Sequence, residues 1–522
     1  MNSQTGKNGG AQSPFAIELT SINKQFGSVR ANQDIDLDVR NGTVHGIIGE
    51  IGAGKSTLVS ILYGFYTADS GQIAVNGKAL DIKGSADAIA NGIGMVHQHF
   101  MLVPNFTVLE NIILGHEGKK GLQAGLADGR AELERLSRLY GLDVPLDVLV
   151  ADLPVGIQQR VEILKTLYRG AKILILDEPT GVLTPQETDQ LFEILKTLRA
   201  QGVTILLITH KLREIMAITD YVSVMRGGLM VAHLETIDTD PTKLAELMVG
   251  RPVLLEADYP EAEIGTVQLE VNQLSYQDAI GAPVLTDISF ELRAGEILGI
   301  AGVSGNGQSE LLELLAGIAQ PTGGEIHIAG GHITAEQGLT TAEIKALGVA
   351  HVPEDRHAVG MVLPFSAAET SVLGYETSEA MGQSWFFSPA RLKSHCAKLM
   401  QAFDVRPANP ALKSSQFSGG NQQKIVLARE ISSEPTILLV GQPTRGVDIG
   451  AIEFIHKELI ALRDRGCAIL LVSVELDEIL SLSDRILVMN NGQNMGLISR
   501  DDADPQSIGL LMAGVTDEAA AS

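Results

Sequence analysis

The chain has 522 residues, a formal charge of −24, 45% hydrophobic residues and 20% charged ones. That length implies two to four domains with substantial cores, and so acidic a balance argues against a surface made to wrap nucleic acid, which needs a basic footprint, and serves mainly to keep the chain soluble. Two cysteines, Cys396 and Cys467, lie outside any metal or redox spacing; a disulfide framework, a zinc site and an iron–sulfur domain are excluded with them. No apolar run reaches 18 residues, so a membrane role falls to a partner.

Residues 1–13 have no apolar core and are expected to form a disordered tail rather than a signal peptide. A first domain is expected over 14–250. It opens on an alternating strand pattern at 35–39 (IDLDV), with Phe26 ahead of it as an aromatic that could stack on a base or cover a subdomain edge. A short apolar strand (HGIIG) then enters a glycine loop and a helix. Gly49–Ser56 (GEIGAGKS) satisfies G-x-x-x-x-G-K-[ST]. In such a loop the backbone of Gly49, Glu50, Ile51, Gly52, Ala53 and Gly54 turns N–H groups toward phosphate oxygens. Lys55 reaches the β- and γ-phosphates, Thr57 lies in the first helical turn, and Ser56 can hold Mg²⁺. Gln98, in GMVHQHF, is a candidate for the metal and the attacking water. Helical patterns fill 105–170.

Residues 173–177 (ILILD) read as a buried strand ending in an acid. Asp177 at its tip would stand beside the metal, and Glu178 beside the attacking water as base. A helix-capping acid is the plain alternative, weakened by the phosphate loop upstream. His210 ends a further apolar strand and suits a γ-phosphate sensor. The segment 251–265, rich in Pro and acid, reads as a linker.

The second domain, expected over 266–515 with a tail at 516–522, repeats the first. FSGGNQQKIVLAR (417–429) matches LPVGIQQRVEILK (153–165), ILLVGQPT (437–444) matches ILILDEPT (173–180), and ILLVSVELDEI (469–479) matches ILLITHKLREI (205–215), all at one offset of 264 residues. Between the halves, Gln308 replaces Lys55, Gly441 replaces Asp177, Gln442 replaces Glu178 and Val474 replaces His210. A glutamine supplies no cation, a glycine ligates no metal and Gln442 accepts no proton. The defects cross over elsewhere: the second half keeps Ser418, Gly419, Gly420 and Asp448, where the first has Pro154, Val155, Gly156 and Thr184.

With SGGNQ (418–422) the chain resembles the ABC ATPase family over about residues 16–515, and within it the tandem ATPases of bacterial simple-sugar and nucleoside importers; GMVHQHFMLVPNFTVLENIILG, GNGQSEL and VPEDR lean toward the nucleoside branch. The resemblance implies an α/β fold of two tandem P-loop NTPase domains, each with a mixed, mainly parallel sheet core, an antiparallel β subdomain and a helical subdomain. It implies ATP and Mg²⁺ as ligands, and halves that pair head to tail. Ser418, Gly419, Gly420 and Asp448 would then complete a site with the first half's Lys55, Ser56, Asp177, Glu178 and His210. Integral membrane permeases would be the partners and, through them, an extracytoplasmic substrate-binding protein, which places the chain peripherally on the cytoplasmic side of the bacterial plasma membrane. A soluble tandem ATPase acting on ribosomes or DNA, or an exporter, is the competing expectation.

Overall fold

The computed structural model describes residues 13–514 except 28, 51, 98–99, 117–121, 182, 253–259, 304, 377–387 and 448. The chain divides into two compact units, one built from the first 253 residues apart from Thr184–Gln186, the other from Leu254 onward.

In the first unit a six-stranded sheet runs in the order Leu229–Glu235, Tyr221–Arg226, Val44–Gly49, Thr204–Ile208, Ile173–Asp177, Ile93–Val96. All neighbours pair in parallel except the first two strands. Val44–Gly49 and Thr204–Ile208 are buried along their whole length. Unbroken apolar runs such as these suit a parallel sheet, which is covered on both faces. A four-stranded antiparallel sheet, ordered Val29–Arg40, Phe15–Phe26, Ser70–Val75, Lys78–Leu80, packs Ile17, Leu19, Ile35 and Leu37 against one face of the core together with Leu58 and Leu62. Helices Val108–Ile113, Leu122–Tyr140 and Val155–Tyr168 make the helical region, whose core Ile112, Leu133 and Ile163 belong to.

The second unit repeats this plan. Its six-stranded sheet runs Val349–Val352, Ile437–Gly441, Ala468–Ser473, Ile297–Ala301, Arg485–Asn490, Gln493–Ser499, the same order from the opposite edge. The antiparallel sheet joins Pro283–Arg293, Val267–Gln277, Gly323–Ile328 and Gly331–Thr334. The 11-residue strands Val267–Gln277 and Pro283–Arg293 alternate buried and exposed side chains, as a sheet with one solvated face requires. Among the described residues no helix is long and apolar enough to cross a membrane.

Candidate active site

Parallel strands bring their carboxyl ends to one edge of the sheet, where ligands of open α/β folds bind. In the first unit that edge gathers the loop after Val44–Gly49, the tip of Ile173–Asp177 and the residues following Thr204–Ile208. Gly49 ends its strand, and Gly54 caps the helix Lys55–Tyr63 in the left-handed region at φ 98°. A Cβ on Gly54 would lie 2.1 Å from the Ala31 carbonyl oxygen, so only glycine fits this turn. Gly52 also has a positive φ, and Ala53 is buried with its N–H bonded to Glu50 O at 3.0 Å. Ser56 is exposed and Thr57 half-buried in the first helical turn.

Lys55 is buried and folds back over the loop. Its Nζ donates to Gly49 O at 2.6 Å and Glu50 O at 3.0 Å. Burial lowers its pKa, while Glu178, Asp177 and Glu50 pull the other way. Asp177 is pushed up to about 6, first by burial and then by the charge of Glu178, with Lys55 opposing. Lys55 offsets only part of that lift, so a further cation beside Asp177 would be favoured. Glu178 sits at φ 46°, a strained value for a side-chain-bearing residue, and its N–H bonds Ile208 O at 2.9 Å. That turn aims its carboxylate at His210, whose Nδ1 stands 3.0 Å from Glu178 Oε1. The hydrogen bond from His210 is the main cause that holds Glu178 below the usual carboxylate range.

Lys55, Asp177, Glu178 and His210 are therefore brought together. Phe26 ends the strand Phe15–Phe26, partly exposed, and packs edge-on against Tyr66 with ring centroids 5.1 Å apart; Tyr66 carried no sequence signal of its own. Thr180 Oγ1 donates to Glu214, which bolts the turn after Glu178 to the helix Leu212–Ile218, a tie no motif announces. Ile51, Gln98 and Asp448 lie outside the described residues.

In the second unit Ser418 caps the helix Gly419–Ile431, its Oγ accepting from Asn421 Nδ2 at 2.8 Å. A Cβ on Gly419 would meet Gly446 O at 2.7 Å and Arg356 Nη2 at 2.8 Å, and Gly420 is buried in the first turn. The equivalent first-unit helix, Val155–Tyr168, is capped by Pro154, which offers no N–H. Gln442 keeps the left-handed backbone of Glu178, at φ 49°, but its Oε1 accepts from Val474 N at 3.3 Å.

A glycine-turned loop with its lysine, an acid-tipped strand of the same sheet and a carboxylate–histidine pair define a P-loop ATPase. Residues 32–181 and 285–445 each match the ABC transporter family, and the chain belongs to it. It is 46% identical to the nucleoside import ATP-binding protein NupA of Lactococcus lactis subsp. cremoris, over 95% of this chain and 98% of that one. The guanosine import ATP-binding protein NupO of Bacillus subtilis is 44% identical over 97% and 99%. In a structure of ribosome-bound archaeal Pelota and ABCE1, a chain with 19% identity aligns over 92% of this chain and 79% of its own with a TM-score of 0.60, a likeness of fold alone.

Proposed function

We propose that the chain is the ATP-hydrolysing, energy-coupling subunit of an importer for nucleosides or simple sugars. The observation that carries the reading is the joint placement of Lys55, Asp177 and the Glu178–His210 pair at one sheet edge, in a chain 46% identical to a nucleoside import ATPase. Ser56 and Asp177, with Gln98 by its place in the sequence, would hold Mg²⁺, which when bound shields the charge of the triphosphate and orients its oxygens. Glu178 stays ionised at neutral pH and accepts the proton of the attacking water. His210 holds that carboxylate in place, and Lys55 supplies the cation opposite the phosphates. Phe26 offers a ring face to adenine.

The crossed pattern of losses supports head-to-tail pairing: the first half contributes the charges, and the second contributes Ser418, Gly419, Gly420 and Asp448 as the clamp. Membrane permeases and an extracytoplasmic binding protein would complete the system, with this chain peripheral on the cytoplasmic face of the plasma membrane. Reconstitution with the permeases and binding protein in vesicles tests this. A nucleoside should raise ATP turnover several-fold. Stimulation by ribose alone would move the cargo to sugars, and stimulation by ribosomes with neither cargo active would overturn the transport reading.

A further inference from the structure

The hairpin at the edge of the second unit's antiparallel sheet, Gly323–Ile328 with Gly331–Thr334, carries two histidines that its turn sets face to face. Ala329 and Gly330 form the turn, both in the left-handed region at φ 47° and 84°, as a two-residue type I′ turn requires. Such a turn fixes the register, placing Ile328 opposite Gly331 and His327 opposite His332. Side chains then alternate between the faces. Ile326, Ile328 and Ile333 are buried in the core. Glu325, His327 and His332 stand on the other, solvated face. Glu270, on the adjoining strand Val267–Gln277, lies opposite His327 and adds a further carboxylate nearby.

The three side chains meet. His332 Nε2 lies 3.0 Å and His327 Nε2 3.5 Å from the same Glu325 Oε2, and the two rings stack with centroids 4.4 Å apart. Ligand atoms around a tetrahedral ion with bonds of about 2.0–2.1 Å stand about 3.3–3.4 Å from one another, and the two nitrogen–oxygen distances bracket that spacing. Among the described residues, no other three His, Cys, Asp or Glu side chains bring their ligand atoms within 4.8 Å of one another. Both rings are exposed, so the χ2 rotations that turn their lone pairs onto one ion disturb no core packing. The repeat supplies an internal comparison. The first unit's hairpin, Ser70–Val75 with Lys78–Leu80, keeps the same register but sets Ala74 opposite Ala79, with Gln72 in the place of Glu325. The fold therefore needs none of the three, and the second unit has all of them together.

We propose that His327, His332 and Glu325 bind a divalent transition-metal ion, of which Zn²⁺ is the type, on the solvated face of the second unit's antiparallel sheet. Two imidazoles and a carboxylate suit Zn²⁺, Ni²⁺ or Cu²⁺, whereas Mg²⁺ and Ca²⁺ take oxygen ligands. Three protein ligands leave a position for water, and the ion ties the two strands of the hairpin together through their side chains. The site uses no thiolate, so the scarcity of cysteine that rules out cysteine-ligated zinc does not touch it. None of the three residues belongs to the site of the first unit, and the inference is independent of ATP turnover and of transport.

The test uses the nucleotide-free full chain in excess Mg²⁺, which competes for oxygen-rich sites. Zn²⁺ is titrated by calorimetry, and Cu²⁺ is followed by electron paramagnetic resonance. One equivalent of Zn²⁺ should bind more tightly than any other, and the Cu²⁺ spectrum should show splitting from two imidazole nitrogens. His327→Ala and His332→Ala should each weaken that equivalent by at least about tenfold, and the double change should abolish it, with magnesium-dependent ATP turnover unchanged in all three variants. Glu325→Gln should weaken it while keeping the two-nitrogen spectrum. Zn²⁺ binding that survives unchanged in the double variant, or a Cu²⁺ spectrum with fewer than two nitrogens in the wild type, overturns the proposal.

Discussion

Asp177→Asn should stabilise the nucleotide-free protein while abolishing its activity. Burial and the charge of Glu178 lift the Asp177 carboxyl from its ordinary 3.8 to about 6. For an acid raised in the folded state the ionised form is the disfavoured one, so stability falls as pH rises from about 3.8 to about 6 and stays lowered above that. The lift corresponds to a cost of about 3 kcal/mol at neutral pH, which partial solvent access reduces to roughly 2–3 kcal/mol. Asparagine keeps the shape and removes the charge. Calorimetry in a chelator should therefore show the first unit of the variant melting higher than wild type at pH 7.5, by about 4–10 °C. At pH 4 the two should melt together. Adding magnesium and ATP should raise the wild type and leave the variant unmoved. An equal or lower melting temperature for the variant at pH 7.5 would refute the reasoning, because the buried carboxylate would then already have its counter-charge within the protein.

Glu178→Gln should lower steady-state ATP turnover by ~10²–10⁴, the usual worth of a general base, whereas Gln442→Ala should keep most of it; a phosphate-release assay on both variants decides. Gly420→Asp places a charge in the second half's clamp and should reduce turnover far more than Val155→Asp, measured the same way; equal losses would contradict the crossed assignment.

Much of this architecture could be read from residue order because its signals are local. A strand, a glycine turn and a helix lie within about 20 residues of one another, and the acid of Ile173–Asp177 sits at the end of its own apolar run. What could not be read depends on neighbouring strands. Glu178 meets His210 because two parallel strands end side by side. Glu354 fills the space over Gly441 because the edge strand Val349–Val352 pairs with Ile437–Gly441. A space filled from the next strand leaves no mark within either motif, and Gly441 alone reads as a loss. Phe26 with Tyr66 is a similar case, joined only when the antiparallel sheet closes over the helix Lys55–Tyr63.

Gln442 holds the same left-handed backbone as Glu178, although such a conformation stores about 1–3 kcal/mol of strain and an amide there has no proton to accept. The second half is thus a mould that kept its shape after its tool was removed. A designer wishing to make both halves work could place a base at 442 on a turn already cast, but would have to clear Glu354 from the space beside Gly441 before adding an acid there.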